Sequence, residues 1–285
     1  MLTQILKDHI PVDINSMRVD NFIEHQEKLK QNKIKYVEKG QGWKSVDCCP
    51  VCESPINDLE LEVYGNPLVR CADCQLRYHQ KIPADPNDIY QAEDYSSHSK
   101  GRNQDHFNYR KERFGTERVR LLQRHCGDLS NKTLLDIGCG MGDLLAAAKD
   151  ACKKCIGSEF SVQMREFAEE KTGLTIYGDP LETFPERDID IITAIDVIEH
   201  IPSPSSFMEA ASRLLNPGGY IMLYTPNFDS FSIKVMKEKS SLINGTGHVM
   251  LFNHTSLEKL GKSVGLEIIH TETRGLDIQS IISFQ

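Results

Sequence analysis

The sequence predicts an α/β protein, a doubly wound parallel sheet preceded by a small cysteine-bearing module. Three observations carry the prediction. Strand-like and helix-like segments alternate from residue 131 onward, the pattern of a parallel sheet with helices on both faces. An apolar run, an acid and three alternate glycines stand at the head of that region, in Thr133-Leu134-Leu135-Asp136-Ile137-Gly138-Cys139-Gly140-Met141-Gly142. Two Cys-x-x-Cys pairs lie within residues 46–82.

Residues 1–45 read as an N-terminal helical extension, with a helix over Asn21–Tyr36. Its lysines (Lys28, Lys30, Lys33, Lys35) read as a solvated helix face. Residues 46–82 form the cysteine module, and residues 83–130 a linker with cap helices, including one over Arg113–Arg124. Residues 131–285 form the main domain. Its candidate strands are Thr133–Ile137, Cys155–Glu159, Thr175–Tyr177, Ile189–Ile195, Gly219–Thr225 and Leu266–Thr273. Helices are expected from Asp143 and over Ser161–Lys171, Ser205–Leu215 and Ser256–Val264. The final residues, Gly275–Gln285, are either a seventh strand or the point where the chain stops before one.

A chain of 285 residues buries a substantial core. Its net charge of −8 disfavours a partner held mainly by phosphate contacts. No segment approaches the ~20 apolar residues of a membrane span, and the first twelve residues lack a signal-peptide core. Nine cysteines without a secretory leader point to reduced or metal-bound thiols. A cytoplasmic location and no membrane partner are therefore expected.

The spacing of the glycines narrows the ligand. A dinucleotide fingerprint places its third glycine where this chain has Asp143. Asp136 followed by Gly-x-Gly-x-Gly instead resembles motif I of the class I S-adenosylmethionine-dependent methyltransferases. The resemblance extends through LLDIGCGMGDLL, GSEFS, GDPLETFP, DIITAIDVIEHIPSP, LLNPGGYIMLYTPN and GHVMLFNHTSLEKLGKSVGLEII, about half the chain. It implies a Rossmann-like methyltransferase sheet that binds S-adenosylmethionine at its switch point, lined by Asp136, Gly138, Cys139, Gly140 and Gly142. Acids at strand ends complete the reading. Glu159 can accept both ribose hydroxyls, Phe160 can pack on the adenine, and Asp179 can accept the adenine amino group. Asp196 ends the fourth strand beside the cofactor.

Methyl transfer from a sulfonium needs an aligned nucleophile and the removal of its proton. The candidate bases are His200, just after the fourth strand, and His248, in the glycine-loosened loop Gly245-Thr246-Gly247-His248; Asp196 joins them as a catalytic candidate. Asp196-x-x-Glu199-His200 also resembles the carboxylate–carboxylate–histidine cluster of the ubiquinone-pathway O-methyltransferases. Those groups suit a divalent metal able to lower the pKa of a bound hydroxyl. Glu-His also occurs at this place in methyltransferases that hold no metal there.

Cys49, Cys52, Cys71 and Cys74 have the spacing of a structural zinc ribbon. Cys48 is an adjacent alternative to Cys49, and Glu53 and Gln75 stand where a glycine usually follows each knuckle. From Cys48 to Asp85 six acids face three bases, a net charge of −3, which is wrong for a phosphate-binding ribbon. Cys152 and Cys155 read as ordinary thiols. The ribbon and the aromatic segment after it resemble a methyltransferase subgroup of polysaccharide and natural-product pathways. In that arrangement Tyr90, Tyr95 or Phe107 caps the cofactor sulfonium, and Tyr95 is the choice here. The expected activity is methyl transfer to a hydroxyl of a small-molecule or sugar-containing acceptor, without nucleic acid. The alternatives are an RNA base methyltransferase and a non-catalytic protein that binds the cofactor or a partner. Oligomeric state is unconstrained.

Overall fold

The structure, a computed structural model, describes Asp13, residues 42–84 and residues 104–274. These fall into two compact units, residues 104–195 with 214–223, and residues 42–84 with 196–213 and 224–274. The expected helices within residues 1–41, the aromatics Tyr90 and Tyr95, and residues 275–285 lie outside the described part.

In the first unit, β6 (Thr133–Ile137) is buried along nearly its whole length, as expected for a strand covered on both faces by crossover helices. It is the middle of a five-stranded sheet ordered β10 (Leu215–Tyr224), β9 (Ile189–Ile195), β6, β7 (Lys154–Ser158) and β8 (Ile176–Tyr177). Strand β7 (Lys154–Ser158) runs parallel to β6, with Ile156 opposite Leu135. The short β8 (Ile176–Tyr177) continues outward from β7. The chain then returns to the other side, where β9 (Ile189–Ile195) pairs in parallel with β6, Ile192 opposite Leu135. The switch point therefore lies at β6, and the strands' carboxyl ends there are the usual ligand position of such sheets.

Helix α3 (Asp143–Ala148) connects β6 to β7, and α4 (Val162–Thr172) connects β7 to β8. Ser161 caps α4 by accepting a hydrogen bond from the Met164 N–H, and Gly173, at φ 69°, ends it. Leu134, Leu144, Leu145, Ala168, Ile176 and Ile191 form the core between sheet and helices. The cap helices are α1 (Gln104–Arg110), a π-helical turn (Lys111–Gly115) and α2 (Thr116–Cys126). They begin earlier than the expected helix over Arg113–Arg124. Phe107 is buried against Met141, Ala146 and Met164, so its ring is core packing. Strand β10 (Leu215–Tyr224) covers most of the expected Gly219–Thr225 and starts four residues before it.

One expected strand is absent. Residues 266–273 form no strand, and Ile269 is 60% exposed. The apolar pattern there looks strand-like, but a strand exists only where a neighbour pairs with its main chain, and the described sheet ends at β10.

In the second unit, β2 (Asn57–Val63) and β3 (Asn66–Cys71) make the hairpin between the two cysteine knuckles. They turn through Tyr64 (φ 52°) and Gly65 (φ 80°), the two left-handed positions of a tight hairpin turn. Strand β4 (Arg77–His79) pairs with β3, while β1 (Trp43–Ser45) and β5 (Lys81–Pro83) form a separate pair. The hairpin sheet has a fourth strand from far along the chain, β11 (Met250–Leu251), antiparallel to β4. Val63 and Leu68 of the hairpin share one apolar cluster with Phe228, Ile233, Ile243 and Leu251. The unit also holds α5 (Pro204–Leu214), α6 (Phe231–Met236) and α7 (His254–Ser263), the last started by a reciprocal Asn253–Ser256 capping box. No described helix is long and apolar enough to cross a membrane.

Candidate functional site

The glycine turn after β6 has the conformation its sequence requires. Gly138, Gly140 and Gly142 have φ of 66°, 54° and 79°, values that a side chain would strain. Gly142 serves as N-cap of α3. The Gly140 N–H donates to Glu159 Oε2 at 2.9 Å, and the Ser161 N–H donates to Glu159 Oε1 at 2.8 Å. One carboxylate thus bridges the glycine turn and the start of α4. Arg165 donates to the Glu159 carbonyl at 2.8 Å and fixes the backbone of that residue.

Asp136 is fully buried on β6, where its Oδ1 accepts the Thr193 hydroxyl at 2.6 Å. Burial pushes its pKa up to about 7, against the pull of the Thr193 hydrogen bond and Arg118. The Cys139 side chain packs into the core near Leu145, so any contact it makes with a cofactor is confined to its backbone. Phe160 is 64% exposed and Asp179 is exposed after β8.

The second constellation is Glu199, His200 and His248, whose potential metal-ligating atoms all lie within 4.8 Å of one another. The expected metal set needs one correction. Glu199 and His200 are grouped with His248, and Asp196 is not a member. Asp196 is exposed, held at φ 53° with its N–H donating to the Tyr224 carbonyl at 2.8 Å. Its charge nonetheless acts on Glu199. Burial, followed by the Asp196 charge, pushes the Glu199 pKa up to about 8. Thr225 donates to Glu199 Oε2 at 3.0 Å, whereas Oε1 is buried without a hydrogen-bond partner.

Both imidazoles are oriented by main chain. His200 Nδ1 faces the Gly247 carbonyl at 2.8 Å, and His248 Nδ1 faces the Leu242 carbonyl at 2.9 Å. A carbonyl only accepts, so in each neutral ring the proton sits on Nδ1 and the lone pair on Nε2. The two rings meet edge to face with centroids 4.9 Å apart.

The 244–248 loop, read as loosened by its glycines, is tied down. Asn244 Oδ1 accepts from the N–H groups of Thr246, Gly247 and His248 at 3.2, 2.8 and 3.0 Å. Sequence reading missed Asn244, although an Asn just before a glycine-rich tetrad is an Asx-turn signal. It missed Thr193, inside β9, and Thr225, just past β10, too, because a threonine gives no local sign of its partner.

Cys49, Cys52, Cys71 and Cys74 also form one cluster. The Sγ separations of 3.4 Å (Cys49–Cys74) and 3.5 Å (Cys52–Cys71) lie near the edge of about 3.8 Å in a tetrahedron of ~2.3 Å zinc–sulfur bonds. The four thiols therefore fit one zinc ion, and exposed Cys48 stands outside the cluster. The two knuckles repeat one backbone pattern. The Glu53 N–H donates to the Cys49 carbonyl and the Gln75 N–H to the Cys71 carbonyl. Glu53 (φ 59°) and Gln75 (φ 64°) adopt the left-handed conformation that glycine usually supplies.

Comparison with known proteins agrees with the sheet and the glycine turn. The profile of the family described as a methyltransferase domain matches residues 106–271. A ubiquinone biosynthesis O-methyltransferase of Leptothrix cholodnii is 27% identical over 175 residues, covering 56% of this chain and 74% of the relative. One of Methylococcus capsulatus is 31% identical over 118 residues, covering 39% of this chain and 49% of the relative. The fold resembles that of magnesium protoporphyrin IX methyltransferase from Synechocystis, with a TM-score of 0.52 at 19% identity, over 67% of this chain and 92% of that one. With more than half of its residues matched by the family profile, the chain belongs to the methyltransferase-domain family and is an S-adenosylmethionine-dependent methyltransferase.

Proposed function

We propose that the chain methylates a hydroxyl of a small-molecule or sugar-containing acceptor. The observation that carries this reading is the convergence of Glu199, His200 and His248. A hydroxyl must lose its proton as it attacks the methyl group, and a neutral imidazole with its lone pair on Nε2 is a suitable general base. The named relatives are O-methyltransferases, which agrees with an oxygen acceptor. Cofactor recognition is assigned to Asp136, the Gly138–Gly142 turn, Glu159 at the ribose, and Phe160 and Asp179 at the adenine. Asp196, immediately after β9, is assigned to cofactor recognition as well. Tyr95 is kept as the sulfonium cap.

One feature favours a second use of the same cluster. Glu199 Oε1 is buried and lacks a hydrogen-bond partner, beside two imidazoles whose Nδ1 atoms are anchored on backbone carbonyls. Anchoring of the far ring nitrogen is typical of metal-binding histidines. Glu199, His200 and His248 would hold a divalent ion that lowers the pKa of a bound acceptor hydroxyl. The cysteine cluster is assigned a structural zinc ion.

Calorimetric titration with S-adenosylhomocysteine tests the cofactor assignment. Micromolar binding is expected, with loss in Glu159→Ala and Asp136→Ala; unchanged binding in both variants overturns the assignment. With acceptor hydroxyls screened by transfer of labelled methyl, His200→Gln and His248→Gln should each cut turnover by roughly 10²–10⁴ while cofactor affinity holds. Full turnover in both variants would remove the histidines from the chemistry.

A further inference from the structure

The cysteine ribbon lies close in structure to the loop that bears His248, although some 170 residues separate them in the chain. Asn66, in the hairpin between the knuckles, donates from Nδ2 to the Gly245 carbonyl at 3.1 Å and to the Lys81 carbonyl at 2.8 Å. The His79 N–H donates to the Val249 carbonyl at 3.1 Å, and β4 pairs with Met250 and Leu251 immediately beyond. The Val249 N–H donates to the Glu199 carbonyl at 2.9 Å. One backbone run thus joins β4, which begins three residues after Cys74, to both His248 and Glu199.

Two further contacts support the same side. The Ser205 hydroxyl donates to the Pro50 carbonyl inside the first knuckle at 3.0 Å, and the Arg77 guanidinium lies 4.5 Å above the Phe228 ring. The shared apolar cluster of Val63, Leu68, Ile243 and Leu251 fills the space between hairpin and loop.

We infer that the ribbon positions the histidine cluster, so that the metal on Cys49, Cys52, Cys71 and Cys74 sets the geometry of His200 and His248. Rather than reading a partner, the ribbon is the back wall of the acceptor site. A hairpin and three-residue strands hold too little buried surface to keep their register alone. A tetrahedral ion closes the two knuckles and with them the hairpin and β4, the strand on which β11 pairs. Asn66 and the Cys ligands are positioning residues in this arrangement; none of them touches the reacting atoms. The inference rests on the reading of His200 and His248 as acceptor-site groups, and its test does not depend on that reading.

The test uses full-length protein, zinc-loaded, chelator-treated and as the Asn66→Ala variant, which keeps all four cysteines. Two signals are followed: S-adenosylhomocysteine affinity by calorimetry, and the Nδ1–H resonances of His200 and His248 by nitrogen-edited NMR. The two resonances, present in the zinc-loaded protein because each proton is held on a backbone carbonyl, are expected to vanish or shift on zinc removal and to shift in Asn66→Ala. Cofactor affinity should change less than about twofold in Asn66→Ala, because Asn66 is not among the residues assigned to the cofactor. Unchanged histidine resonances after complete zinc removal overturn the inference. Absence of S-adenosylhomocysteine binding in every form, with histidine signals still following zinc, would instead overturn the cofactor assignment and leave the inference standing.

Discussion

Asp136 is the residue whose chemistry is most exposed to a stability test. Its folded pKa, about 7, lies above the ordinary value of 3.8 because the carboxylate is buried. Between those values the folded state binds more protons than the unfolded chain, so stability falls as pH rises through the window. The loss is roughly 1.4 kcal/mol for each unit of the upward shift. Asp136→Asn should remove that slope: urea unfolding at pH 5 and pH 8 is expected to show the variant gaining on wild type at the higher pH. An unchanged difference between the two pH values would mean that the carboxylate is well solvated. Thr193→Val should act in the opposite direction, costing about 1–3 kcal/mol above pH 7 by leaving the carboxylate without its donor.

The knuckles offer a second comparison at the same scale. Left-handed backbone costs a side-chain-bearing residue roughly 1–2 kcal/mol, and glycine's greater unfolded-state freedom returns about 0.4–1 kcal/mol of that. Exposed Glu53→Gly should therefore gain a little stability and release zinc more slowly to a chelator. Gln75→Gly should come out nearer neutral, because the Gln75 amide donates to the Ala72 carbonyl at 2.9 Å. Faster zinc release in Glu53→Gly would refute the strain argument.

At the scale of elements, α3 depends on a close approach by the π-helical turn. A Cβ on Gly115 would stand 2.6 Å from the Asp143 carbonyl oxygen and 3.0 Å from the Ala147 Cβ. The obstruction is helix backbone, which cannot swing aside. Gly115→Ala should cost about 1–3 kcal/mol by overpacking. Because Asp143 directly follows the glycine turn, S-adenosylhomocysteine affinity should weaken as well. Calorimetry and urea unfolding measure both, and a variant of native stability would show that the turn can yield.

Most of the first unit's elements were legible. Strands over Thr133–Ile137 and Ile189–Ile195 lie at the expected residues, since an apolar run between polar turns is a local signal. The Ser161 cap and the Gly173 stop frame α4 for the same reason. The strand expected over 266–273 failed because local pattern cannot guarantee a partner. Strand β11, two residues long, was invisible because its apolar pair carries no periodicity.

Across the whole molecule, the net charge of −8 bears on the choice between small-molecule and RNA acceptors. An RNA-binding methyltransferase should show salt-dependent affinity for ribosomal RNA fragments. Fluorescence anisotropy at physiological salt is expected to show no saturable binding, and tight, salt-sensitive binding would revive the RNA reading.

The sequence by itself determined the family, the order of the sheet's strands along the chain, the glycine turn, the strand-end acids and the four-cysteine spacing. All are encoded within a few residues of themselves, through glycine φ, apolar periodicity and ligand spacing. The tertiary structure alone decided that His248, and not Asp196, stands with Glu199 and His200. It also decided that a strand from residue 250 completes the ribbon's sheet and that Asn66 holds the main chain of Gly245, 179 residues away. Convergence over such separations depends on which apolar surfaces bury one another, and no local pattern of residues records that choice.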